Sequence, residues 1–149
     1  MMISLKPVDT ENFWDVIELR PTPEQEEWIV SNAISIAQAK VQPECIPLAI
    51  YHDDTPVGFC MYCIDRDDGE YWIYRLMIDA ASQRRGYGRA ALKLLLAWID
   101  EDPSHSKIFL GVDPRGGAAV ALYQSEGFSF TGQAFGKERI MCRERALTL

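Results

Sequence analysis

The sequence predicts an α/β sandwich built on a mixed, mostly antiparallel central sheet of about six to seven strands flanked by about four helices. Three observations carry this. Three strand-like runs follow one another between Pro47 and Asp79, the apolar period then switches from two to 3.6 residues, and a strand follows that helix, as a crossover requires.

Taken in order, residues 2–8, MISLKPV, alternate well enough for a first strand, with Pro7 near its end. Thr10 or Asp9 can cap a short helix through NFWDVIEL, which Pro21 closes. Thr22, Pro23 and Glu24 to Glu27 start a second helix, expected to run to about Lys40 and to bury Trp28, Ile29, Ala33, Ile36 and Ala37 on one face. PLAIYHD, a turn at DDTP, and VGFCMYCID read as a hairpin. After the RDDG turn, EYWIYRLMID is rich in aromatic and β-branched residues and reads as a central strand.

Residues 86–100 form a long helix with Leu92, Leu95, Leu96 and Ile99 in its apolar stripe. Pro103 ends that unit, and KIFLGV is a short strand. AAVALYQSEG is a helix stopped by Gly127, and Phe128 to Thr131 and Arg139 to Arg143 supply two last strands.

The chain of 149 residues, 48% of them hydrophobic and 25% charged, reads as one domain covering residues 1–149, with no repeat or linker. A formal charge of -7 disfavours general nucleic-acid binding, which relies on releasing phosphate counterions. The N-terminal MMISLKPVDTENFW lacks the basic start and apolar run of a secretion signal, and no stretch approaches a membrane span. A cytoplasmic protein is expected. Cys45, Cys60, Cys63 and Cys142 are too scattered for a disulfide framework. Cys60 and Cys63 lie three apart in a strand and so point to opposite faces, which argues against a shared metal. His52 and His105 are read as loop residues.

The chemistry concentrates where the central strand turns into the long helix, IDAASQRRGYGRAALK. Gly86 and Gly88 remove Cβ atoms at a helix start, so its free N–H groups can approach a bulky anion, which the helix dipole also favours. From Ala80 to Ile99 there are four cations, Arg84, Arg85, Arg89 and Lys93, and no acid, so this window carries +4 while the remainder carries -11. Cations at a helix N-terminus oppose its dipole by about 0.3–1 kcal/mol each. Three arginines there make sense beside a bound anion. The segment lacks the Lys followed by Ser or Thr of a Walker A loop and the third glycine of a Rossmann fingerprint.

The run Gln83-Arg84-Arg85-Gly86-Tyr87-Gly88-Arg89-Ala90 resembles the Gln/Arg-x-x-Gly-x-Gly/Ala signature of GNAT-type N-acetyltransferases. Ala119 to Tyr123 followed by Gly127 and Phe128 resembles the family's second signature, and the element order agrees with the GNAT fold along almost the whole chain. WIYRLMID and SNAISIAQA look most like the bacterial enzymes of that superfamily that act on spermine and spermidine.

The resemblance implies acetyl-CoA as co-substrate, no metal, and a small amine as acceptor. It assigns the CoA pyrophosphate to Arg84, Arg85, Gly86, Tyr87, Gly88 and Arg89, and the pantetheine arm to the backbone of Leu76, Met77 and Ile78. Tyr123 falls on the general acid, where a phenol of pKa about 10 can protonate a departing thiolate. Glu70 is eligible as the base because it opens the central strand, though it also belongs to the RDDGE turn. Acids at Glu24, Glu26, Glu27, Asp65, Asp67 and Asp68 suit a cationic acceptor, and equally suit helix starts and turns. Two positions depart from the pattern: Gly116 replaces the usual Asn seven residues before the tyrosine, and Tyr74 stands where several polyamine-type relatives have Asp. The resemblance also allows a homodimer, whereas a non-catalytic acyl-CoA-binding module or another GNAT enzyme acting on an antibiotic amine or protein N-terminus are the competing readings.

Overall fold

The computed structural model describes residues 2–145. Seven strands form one sheet in the order β1-β2-β3-β4-β5-β7-β6. The strands are β1 (Ile3–Pro7), β2 (Cys45–His52), β3 (Thr55–Ile64), β4 (Tyr71–Ile78), β5 (Lys107–Val112), β6 (Ser129–Phe135) and β7 (Glu138–Glu144); the helices are α1 (Phe13–Glu18), α2 (Asn32–Val41), α3 (Tyr87–Asp100) and α4 (Gly117–Ser125). The expected order of strands and helices is the observed one.

Every neighbouring pair is antiparallel except β4 and β5, which α3 joins as a parallel crossover. That parallel ladder is short. Its partners are Tyr71 with Ile108, Trp72 with Phe109 and Ile73 with Leu110, and beyond Ile73 the two strands part. The cause lies in β4 itself. Opposite β3 the register jumps from Tyr62 with Ile73 to Met61 with Arg75, leaving Tyr74 as the extra residue of a bulge. A bulge bends its strand and re-aims the side chains that follow. Tyr71 and Ile73 accordingly face the same core layer as Leu76 and Ile78, while Tyr74 and Met77 face the other.

On one face α3 buries Ala91, Leu92, Leu95, Leu96 and Ile99 against β1 to β5, together with Tyr123 of α4. This is the stripe that the sequence predicts. On the other face a smaller layer packs Val16 of α1 over Ala49, Phe59, Met61, Cys63 and Met77. Cys60 and Cys63 fall in different layers, as their spacing requires.

The second helix is shorter than expected. The start at Thr22 is a reciprocal cap in which the Gln25 amide donates to Thr22 Oγ1 at 3.3 Å and the Thr22 amide donates to Gln25 Oε1 at 3.1 Å. It supports only a 3₁₀ turn at Gln25–Glu27. The chain leaves helical geometry at Trp28, and Ser31 Oγ caps a new helix by accepting from the Ile34 amide at 3.2 Å. The buried face of α2 is Asn32 and Ser35, whereas Ala33 and Ala37 are exposed. Asn32 explains this arrangement: its Nδ2 donates to Val16 O at 2.9 Å, stitching α2 to the end of α1. Two hydrogen-bonded polar residues are thus the fully buried ones of α2, while Ile29 and Ile36 of the expected apolar face pack half-buried against the same layer.

Candidate active site

Two consecutive acceptors of the chain past β4 frame an unpaired stretch of backbone. The Ser82 amide donates to Asp79 O at 2.8 Å and the Ala90 amide to Gly86 O at 3.1 Å. Among the described residues the amides from Gln83 to Arg89 find no acceptor, so they open toward the mouth of α3. Arg84 (φ 64°) and Gly86 (φ 82°) are both left-handed there, a conformation that glycine adopts freely and arginine does not. A Cβ at Gly86 would meet nothing, and one at Gly88 would be only in ordinary contact, 3.6 Å from Ile78 Cγ1. The space beside these amides is therefore open, which suits a diphosphate.

The surroundings hold this turn in place. Gln83 Nε2 donates to Ile78 O at 3.0 Å and to Gln25 Oε1 at 2.8 Å, tying it to β4 and to the 3₁₀ turn. Tyr87 is buried in the first turn of α3, stacked on His52 with ring centres 4.8 Å apart and its hydroxyl 3.2 Å from His52 Nδ1. His52 is thus the last residue of a strand, not a loop residue. Arg84 and Arg85 are exposed, but the Arg89 guanidinium is engaged by Ser125 Oγ at 2.7 Å and Glu126 at 3.1 Å. The side chain of Arg89 links α3 to α4.

Leu76, Met77 and Ile78 lie just upstream, on the part of β4 that pairs with β3 and has lost β5. In an antiparallel ladder alternate residues aim their N–H and C=O away from the partner, so this edge presents free backbone to the gap. Gly58 on β3 permits the close approach, since a Cβ there would collide with Met77 O and come within 2.8 Å of Ile78 Cδ1. The Met77 side chain is core: it is buried, and its sulfur accepts from Asn32 Nδ2 at 3.7 Å.

Tyr123 is fixed beside the gap by the end of its own helix. Gly127 (φ 97°) turns the chain so that Phe128 donates to Tyr123 O at 3.0 Å and Gly127 to Gln124 O at 3.2 Å. This is a Schellman motif, and its usual apolar contact is the Phe128 ring, edge-on to Tyr123 at 5.8 Å. The Tyr123 residue is buried, yet among the described residues no protein partner bonds its hydroxyl, which is not sealed from solvent. Burial first, then the nearby Cys60 and Glu138, push the phenol well above its ordinary pKa. It stays protonated at neutral pH and is available as a donor.

The other side of the gap opens into a cavity of about 630 Å³ between β4, α2 and the β6–β7 hairpin. Its walls include Trp72, Tyr74, Arg75, Asp65, Phe135 and Glu138. Tyr74, the bulge residue, donates from its hydroxyl to Asp65 Oδ2 at 3.1 Å. Burial, with the adjacent Cys63 and Asp65, keeps that phenol neutral by raising its pKa. Arg75 is anchored by neutral partners, Ser35 Oγ at 3.0 Å, Gln38 Oε1 at 3.0 Å and Tyr74 O at 2.9 Å, so it ties the bulge to α2.

Glu70 is not brought to this cavity. It closes the β3–β4 turn, its carbonyl accepting from the Asp65 amide at 2.9 Å, at the end of β4 where β5 is still paired. Glu27 meets Arg115 at 3.4 Å, and Asp68 accepts from Trp72 Nε1 at 2.9 Å. The carboxylates that do line the cavity are Asp65 and Glu138. Sequence reasoning missed Glu138; its only signal is its place at the start of the last strand after Gly136. Gly116 has a steric reason, since a Cβ there would sit 3.2 Å from Trp28 Nε1. No three or more His, Cys, Asp or Glu residues gather as a metal site among the described residues.

A splayed parallel pair, an amide-lined helix entrance on one side and a buried phenol beside the gap are the parts of an acyl-CoA-dependent acyltransferase. The chain belongs to the acetyltransferase (GNAT) family, which it matches over residues 13–128. It is 30% identical to the spermine/spermidine N(1)-acetyltransferase of Bacillus subtilis (strain 168) over 151 aligned positions, spanning 97% of this chain and 99% of that protein. Its fold superposes on the PaiA N-acetyltransferase of Thermoplasma acidophilum in complex with coenzyme A (TM-score 0.72, 17% identity, 97% of this chain and 99% of the other). An aminoglycoside acetyltransferase with coenzyme A and kanamycin is similarly close in fold (TM-score 0.78, 18% identity, 97% and 95%). The protein is an N-acetyltransferase that uses acetyl-CoA.

Proposed function

We propose that this enzyme acetylates a primary amine of a linear polyamine such as spermidine or spermine, by direct attack with both substrates bound. The observation that carries the acceptor class is the cavity on the far side of the gap. Two carboxylates, Asp65 and Glu138, and the aromatic faces of Trp72, Tyr74 and Phe135 line it. Carboxylates pair with ammonium groups, while aromatic faces take methylenes and attract cations. The full-length likeness to a spermine/spermidine acetyltransferase supports the same reading. Asp65, bonded by Tyr74, supplies a carboxylate beside the position where the Asp of polyamine-type relatives would stand.

In this reading the amides of residues 84–89 and the exposed Arg84 and Arg85 hold the diphosphate. The backbone of Leu76, Met77 and Ile78 pairs with the amide-bearing pantetheine arm, which places the thioester in the gap. Both substrates are then oriented for attack, which supplies much of the rate. Tyr123 gives its proton to the departing sulfur. The whole chain acts as one domain, in the cytoplasm.

Thiol release from acetyl-CoA tests this with spermidine, spermine, kanamycin and a peptide N-terminus offered in parallel. Polyamines are expected to give the highest kcat/KM. A preference for kanamycin would move the acceptor to the aminoglycoside class, which the fold likeness also accommodates. A rise in Tm with CoA but no turnover of any amine would make the chain a binding module.

A further inference from the structure

We infer that Glu138 is the catalytic residue that takes the proton from the incoming ammonium group, a role that rests on the acetyl-transfer reading of this site. Gly111 lies on β5 just past Leu110, where β4 and β5 part, and it lines the acceptor cavity. A Cβ at Gly111 would stand 3.0 Å from Glu138 Oε1, 3.2 Å from Cδ and 3.5 Å from Cβ. The side chain of Glu138 therefore lies along the surface that the missing Cβ leaves free. Its carboxylate sits over the opened strand pair.

Its neighbours fit the assignment. Glu138 shares the cavity wall with Arg75 and Tyr74 of β4 and with Asp65 at the end of β3. Its charge is one of those that hold the Tyr123 phenol above its ordinary pKa, after burial and Cys60. On the outer side it faces Asp113 and Arg115, with Lys137 and Arg139 beside it on its own hairpin. Among these groups Arg115 is engaged by Asp113 at 2.8 Å, and Tyr74 by Asp65. The Glu138 carboxylate accepts no hydrogen bond and joins no ion pair among the described residues, which leaves it available to a ligand.

The chemistry requires such a group. An alkyl ammonium has no lone pair and must lose a proton before it attacks. An N–H bond breaks toward the Glu138 carboxylate, and the lone pair so freed forms the C–N bond to the acetyl carbon. The C–S bond breaks, and the sulfur takes the phenol proton of Tyr123. The second amine proton leaves as the amide forms and restores the phenol, while Glu138 releases its proton to solvent. One ammonium and one thioester become one amide, one thiol and one proton.

The test compares the unaltered chain with Glu138→Gln and Gly111→Ala across pH 6.5–9.5, using spermidine, spermine, kanamycin and a peptide N-terminus as acceptors. Glu138→Gln is expected to lower kcat about 100-fold at pH 7, with the KM for acetyl-CoA and the rise in Tm caused by CoA unchanged. The deficit should shrink as pH rises, because the solvent then supplies neutral amine. Gly111→Ala pushes only the flexible end of Glu138 aside, so it should lower kcat about 10-fold without lowering Tm. A Glu138→Gln enzyme within about twofold of the unaltered one, or a deficit of equal size at every pH, would overturn the inference alone. Failure of the unaltered chain to turn over every acceptor would overturn the acetyl-transfer reading and the inference with it.

Discussion

The two sides of the gap between β4 and β5 are built in different ways. In the proposed reading the coenzyme side is backbone. It uses one contiguous stretch, Leu76 to Arg89, in which a strand edge runs into an amide-lined turn and a helix start. The proposed acceptor side is side chains, drawn from Gln38, Asp65, Tyr74, Arg75, Phe135 and Glu138, which lie on widely separated segments of the chain. Backbone donors recognise a group common to every acyl-CoA and depend little on side-chain identity. Scattered side chains can be exchanged one at a time, which changes the acceptor without disturbing the coenzyme.

That contrast can be broken most sharply at the residue between the two sides. Tyr123→Phe keeps the Phe128 contact and removes the proton donor, so kcat should fall about 100-fold or more. Calorimetric affinity for CoA should be unchanged; an unaltered kcat would remove Tyr123 from the mechanism. Gly86→Val addresses the coenzyme side alone. A branched residue at φ 82° costs about 1–2 kcal/mol and displaces the amides around it. The Kd for CoA should rise about 10-fold, with the acceptor profile preserved.

Tyr74→Phe addresses the acceptor side. It removes the hydroxyl that holds Asp65, a hydrogen bond of about 1 kcal/mol. The KM for spermidine should rise about threefold to fivefold, while the Kd for CoA stays where it was. A change in CoA affinity instead would mean that the two sides are mechanically coupled.

The smallest effect is expected away from both sides. Asp102 accepts from Ser104, whose side chain and amide bind it, and from the Tyr71 hydroxyl, and these bonds hold its carboxyl down at about 2. A depressed folded-state pKa stabilises the fold above the ordinary carboxylate range and ceases to do so as pH falls from about 4 to about 2. Asp102→Asn should lower Tm by a few degrees at pH 7, lose that difference near pH 2, and leave turnover untouched. Differential scanning calorimetry across that range checks the sign.

What was legible in the sequence follows the same division. Gly86 and Gly88 among arginines marked an open, amide-lined helix entrance, because neighbours in sequence are neighbours in space there. Tyr123, Gly127 and Phe128 were legible for a similar reason, since a Schellman motif is a local device. The second helix shows the limit. Its apolar spacing continues through Trp28, but the Ser31 cap and the buried bonds of Asn32 decide where α2 begins. Glu70 marks the same limit on the acceptor side. Its place at the head of the central strand made it eligible, yet the head of β4 is the closed end of the strand pair.

By itself the sequence determined the succession of strands and helices, the family and the open, glycine-marked entrance to α3. Periodicity, caps and glycines act over a few residues, and those interactions are written in order along the chain. Only the tertiary structure decided where β4 leaves β5, and that Asp65 and Glu138 face one cavity. The bulge at Tyr74, the free surface of Gly111 and the β6–β7 hairpin meet through pairings between distant strands. No local spacing encodes such a meeting, because it exists only once the sheet has closed its register.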